Sequence, residues 1–141
     1  MGAGSDTMFK TVLFPIDHSR EAREAADVVV NIVQKYQSRL VLLSVVEPTT
    51  DGESKDPMQS PEAVAKLLEN AKAVFEQQSI PTEVIEREGK PAFTICDVAD
   101  EVGANLIIMG CRGMGLTEEG LTDSVTNRVI NLSPCPVLIV P

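Results

Sequence analysis

The run Leu40-Val41-Leu42-Leu43-Ser44-Val45-Val46 is too continuously apolar and β-branched for a helix with one wet face. A strand of this composition is covered on both sides, as inside a parallel sheet with helices above and below it. Two shorter runs share its character: Thr11-Val12-Leu13-Phe14, halted by Pro15, and Leu106 to Met109. Longer segments of helical period separate them. Ala22, Ala25, Ala26, Val29, Ile32 and Val33 form one stripe behind Ser19, a candidate N-cap. Val64, Leu67, Leu68, Ala71, Val74 and Phe75 form a second behind Pro61, which suits a first helical position. Ile95, Val98, Ala99 and Val102 form a third after the turn Gly89-Lys90-Pro91, closed by Gly103. A last helix is expected over roughly Asp123 to Leu132. Thr82 to Arg87, polar at both ends, reads as an edge strand, and Val137 to Val140 as the final strand. Strict alternation of five strands and four helices predicts an α/β fold. Its form is an open five-stranded parallel sheet, doubly wound, with right-handed crossovers and helices on both faces.

The 141 residues suffice for one domain with a sizeable core. Residues 1–9 are expected to be a disordered N-terminal segment or a cloning remnant, and residues 10–141 the single domain. The Met1-Gly2 start brings N-myristoylation to mind, but the sixth residue is Asp6 rather than Ser or Thr. Twelve basic residues stand against 21 acidic ones, a net charge of −9, which argues against nucleic acid as a partner. With no Trp and one Tyr, a base-stacking surface is also disfavoured. No apolar run reaches the roughly 20 residues of a membrane span. Cys96, Cys111 and Cys135 lack metal-ligand spacing and His18 is the sole histidine, so no metal site is expected in the protein itself. A cytoplasmic setting follows as the default.

Ligands of open α/β sheets bind beyond the carboxyl ends of the strands, where the winding reverses. Pro15-Ile16-Asp17-His18-Ser19 follows the first strand, and Gly110-Cys111-Arg112-Gly113-Met114-Gly115 follows the fourth. Closely spaced glycines let backbone amides approach an anion, although a turn without a ligand has the same composition. Asp17 has the chemistry to bind a ribose, an adenine amino group or a metal, or to cap the next helix beside Ser19. Arg112 is equally able to meet a phosphate or water. No catalytic residue is assigned: His18 has no acidic partner in sequence and no Walker lysine is present, so at most weak nucleotide hydrolysis is expected.

From Lys10 to Pro141 the chain resembles the universal stress protein family. The matching pieces are Lys10-Thr11-Val12-Leu13-Phe14-Pro15-Ile16-Asp17, Leu42-Leu43-Ser44-Val45 and Ala104 to Gly113. They end with Ser124-Val125-Thr126-Asn127-Arg128-Val129-Ile130 and Ser133-Pro134-Cys135-Pro136-Val137-Leu138-Ile139-Val140. The resemblance implies strand order 3-2-1-4-5, with the first and fourth strands flanking the switch point. It also implies that some members bind ATP through a Gly-x2-Gly-x9-Gly-Ser/Thr pattern, with an aspartate and a valine holding adenine and ribose. The corresponding positions here are Pro15, Ile16, Asp17, Val45, Met109, Gly110, Gly113, Ser124 and Val125, with Arg112 inside the pattern. One position departs: Asp123 stands where the pattern has its third glycine. A carboxylate about 4 Å from a phosphate charge is repelled by ~4 kcal/mol at an effective dielectric of 20. Exposure screens this, and a bridging magnesium ion reverses its sign. Asp123 is equally suited to occupy a helix N-terminus in place of a phosphate.

The expected function is therefore a dimeric, adenine-nucleotide-binding (ATP, ADP or AMP, with or without Mg2+) regulatory protein of the stress response. The alternative is a universal stress protein without nucleotide, acting as a dimeric interaction module for an unidentified protein. The apolar strand Val137, Leu138, Ile139 and Val140 is the expected homodimer edge.

Overall fold

The computed structural model describes residues 9–16, 22–46, 61–110 and 125–140. Their elements are β1 (Thr11–Pro15), α1 (Ala22–Tyr36), β2 (Arg39–Val46), α2 (Pro61–Gln77), β3 (Thr82–Glu88), α3 (Pro91–Val102), β4 (Leu106–Gly110), α4 (Val125–Leu132) and β5 (Val137–Val140). The strands form one parallel sheet in the order β3-β2-β1-β4-β5. Residues 47–60 between β2 and α2, the cap at Ser19, the N-terminal segment before Phe9 and the start of the last helix at Asp123 lie outside the described residues.

Side chains leave a strand alternately to its two faces, and here each face fills its own core. Val12, Phe14 and Ile16 of β1 and its extension join Leu40 and Leu42 of β2 and Leu106 and Ile108 of β4 beneath α1 and α2. Leu13, Val41, Leu43, Ile107 and Met109 point the other way, under α3 and α4. All five residues of β1 and of β4 are buried, as their continuous apolar runs require. On the first face Phe14 meets Phe75 of α2 edge-to-face, with centroids 6.2 Å apart.

The stripes of α1 and α3 lie inward as their spacing predicts, with Ala25, Val29 and Val33 buried in one and Ile95, Val98 and Ala99 in the other. Val74 departs from expectation. Assigned to the α2 stripe, it is 51% exposed, because Phe75 next to it takes the inward position and leaves Val74 at the stripe's margin. Gly103 ends α3 in the left-handed conformation, φ +66°, its N–H bonding the last turn while Ala104 N–H reaches Ala99 O at 2.8 Å.

The two edges of the sheet differ in chemistry. On β3, Arg39 of β2 grips Glu83 through two contacts of 2.7 and 2.9 Å, and Arg87 grips Glu101 of α3 at 3.1 and 2.9 Å. These hydrogen bonds hold both carboxyls below the usual carboxylate range. Each lowered pKa favours the fold above the unfolded carboxylate value, and that contribution fades as pH falls through the folded one; exposure keeps it small.

Gly89 joins β3 to α3. Its N–H donates to Val46 O at 2.9 Å, its φ is +154°, and a Cβ built there would come within 2.6 Å of Thr94 Oγ1. Gly89→Ala is therefore expected to destabilise the protein by about 1–3 kcal/mol in urea denaturation, from the forced φ together with the contact.

Candidate functional site

Order β3-β2-β1-β4-β5 puts the reversal of winding between β1 and β4. β1 pairs with β2 along its whole length, Thr11 opposite Arg39 through Pro15 opposite Leu43. Toward β4 the register covers Val12 with Leu106 and Leu13 with Ile107, and there it stops. Ile16 N–H donates to Leu43 O at 2.8 Å. Since backbone groups alternate in direction along a strand, the backbone of Pro15 is turned toward β4, where proline has no N–H to give. The carboxyl ends of β1 and β4 are the switch point of the sheet, where ligands of this architecture bind.

At the amino ends the same strands are clasped. Asn105 N–H donates to Thr11 O at 2.7 Å, and Thr11 N–H donates to Asn105 Oδ1 at 2.9 Å. The amino ends of the pair are thus joined by two hydrogen bonds beyond the ladder.

Six of the eleven residues assigned to the site from sequence are described: Pro15, Ile16, Val45, Met109, Gly110 and Val125. All lie at carboxyl ends of strands or at the first position of α4. Val45, at the end of β2, and Val125 are half-buried against the core under α3 and α4 that Met109 also enters. Met109 is 1% exposed and Ile16 5%, with Ile16 in the opposite core beneath α1 and α2. These two side chains hold strand ends in place, and what they present to the switch point is backbone. Asp17, Arg112, Gly113, Asp123 and Ser124 lie outside the described residues.

Sequence reasoning passed over Leu43 and Val46. Their carbonyls accept from Ile16 and Gly89 and so steer the chain as it leaves β1 and β3. A buried strand residue acting through its carbonyl carries no side-chain signal.

Among the described residues no group of three or more His, Cys, Asp or Glu could hold a metal ion, and no helix is long and apolar enough to cross a membrane. The lowered carboxyls, Glu83 and Glu101, lie on the β3 edge and on α3 rather than at the switch point. As a core side chain, Met109→Ala is expected to cost about 2–5 kcal/mol of stability. Val45→Ala, at a half-buried position, should cost clearly less, and urea denaturation of the two variants side by side checks the assignment.

Comparison with known proteins agrees with this architecture. Residues 8–141 match the model of the universal stress protein family. A universal stress protein of Synechocystis sp. is 64% identical over 141 residues, covering 99% of this chain and 90% of its own. One from Bacillus subtilis is 33% identical over 147 residues, covering 94% and 99%. A universal stress protein solved in complex with cAMP superposes with a TM-score of 0.76 at 24% identity, over 95% of this chain and 98% of its own. The universal stress protein from Archaeoglobus fulgidus in complex with dAMP gives 0.69 at 21%, over 95% and 99%. At such identities these two likenesses concern the fold.

Proposed function

Because the chain belongs to the universal stress protein family, we propose that it binds an adenine nucleotide at the carboxyl edge of its sheet and acts as a dimeric regulatory protein in the stress response. The observation that carries this reading is the halt of the β1–β4 ladder after Leu13 and Ile107, at the switch point of the sheet. Val45 and Val125, half-buried on the core that Met109 also enters, would offer an adenine ring apolar contact. That the same fold holds cAMP in one solved protein and dAMP in another supports an adenine nucleotide as the ligand.

In this reading Asp17 binds the nucleoside, while Gly110, Gly113 and Ser124 supply backbone and hydroxyl donors to phosphate. Asp123 sets the choice of nucleotide. Its carboxylate opposes additional phosphate charge, so AMP is favoured over ATP unless Mg2+ bridges the two. Isothermal titration with ATP, ADP and AMP, with and without magnesium, tests the proposal; no binding at millimolar ligand overturns it. Without magnesium, Asp123→Gly is expected to tighten ATP by about tenfold, or 1.4 kcal/mol, and AMP by less. Equal affinity in the two proteins refutes the role given to Asp123.

The dimer is proposed to join along β5. Strand order leaves β5 one neighbour, β4, and its four residues are half-buried and apolar, whereas the other edge carries Glu83, Glu86 and Glu88. An apolar edge without charges is an available template for a second copy. Light scattering at tens of micromolar is expected to give twice the chain mass, and a monomer there contradicts the interface.

A second reading is favoured by Asp123 itself: a dimeric interaction module for another protein, with the carboxylate replacing a phosphate at the start of α4. Nucleotide recovered by mass spectrometry from protein freshly purified from cells counts against it.

A further inference from the structure

Ile130 is the most exposed apolar side chain of α4, 51% open to solvent although Val129 beside it is fully buried. The helices around it settle which way it leans. α3 and α4 each return the chain from the carboxyl to the amino end of the sheet and pack on the same face, so they run in the same direction. Successive residues of a helix turn by roughly 100°. In α3, Glu101 lies two residues beyond buried Ala99 and reaches back to Arg87 of β3. In α4, Ile130 lies one residue beyond buried Val129 and therefore leans the opposite way, past β5.

The other face of the sheet repeats the pattern. Gln34 of α1 reaches Gln78 O, just beyond α2, at 3.3 Å, which marks the flank of α1 that faces α2. Val28 and Ile32, half-buried, occupy the opposite flank and turn toward β5. Between these helices β5 is apolar, half-buried and paired on one side by β4.

We propose that Ile130 extends the β5 edge into an interface of helix and strand, and that its occupant is a second copy of this chain. The inference rests on the β5 dimer proposed above and adds the side chain that secures it. Charge favours a second copy over a different protein. A two-fold axis sets a patch against itself, so any charge on the patch meets its own image. Glu83, Glu86 and Glu88 would repel themselves in this way, whereas β5 bears no charge and Ile130 adds none. A two-fold axis normal to the sheet lays the two β5 strands antiparallel and brings both copies of α4 to one face, on either side of the axis.

The test is sedimentation equilibrium of the full chain beside Ile130→Glu, Ile130→Ala and Val74→Glu, each checked for folding by urea denaturation. Val74 is the control, as exposed as Ile130 but on α2, which covers β2 and β3. Ile130→Glu, which puts a carboxylate on both sides of the axis, is expected to raise the dimer dissociation constant by about 100-fold. Ile130→Ala should raise it by roughly tenfold and decides the matter if the glutamate variant does not fold. Val74→Glu should leave it unchanged. A monomeric unsubstituted protein overturns the β5 dimer and this inference with it. A dimer that withstands both Ile130 substitutions, or is lost equally in Val74→Glu, overturns the role of Ile130 alone.

Discussion

Burial of β1, β2 and β4 on both faces is the constraint from which the rest of this molecule follows. A strand with apolar residues on each side needs a helical layer above and another below, and parallel strands so covered must be joined by crossovers. With α1 and α2 on one side and α3 and α4 on the other, the winding has to reverse somewhere in the sheet. It reverses beside β1, and there a single proline withholds the donor that would carry the ladder onward. The switch point comes from topology, and the β1–β4 register ends beside it.

Charge is distributed with the same economy. The ion pairs Arg39–Glu83 and Arg87–Glu101 are exposed and contribute little free energy each. Their value lies in what they prevent: charges along β3 make that edge a poor template for another strand, while β5 bears none. Under the proposed dimer, a chain of net charge −9 would meet its copy along the edge strand that bears no charge.

Much of this was legible in the residues. Double-sided burial leaves a continuous apolar run, so the central strands announce themselves, and Gly103 marks the end of α3 because a left-handed cap favours glycine. Strand order was not legible from local pattern, since pairing depends on the direction of each crossover; it came from family resemblance. Pro15 reads as the residue that halts a strand, yet it is the last member of one, because it loses a partner on the β4 side while Ile16 keeps the chain bonded to β2. At the switch point, spacing located the strand ends but not the direction of each side chain. Val45 and Val125 stay half-buried, whereas Ile16 and Met109 are taken into separate cores. Two neighbouring positions on a strand serve opposite faces, and the motif alone does not say which face carries the ligand.

The clasp between Asn105 and Thr11 has a consequence for register. Asn105 bonds Thr11 through both its backbone N–H and its side-chain Oδ1, so one residue fixes where β4 starts beside β1, and losing that side chain would leave the Thr11 N–H without its acceptor.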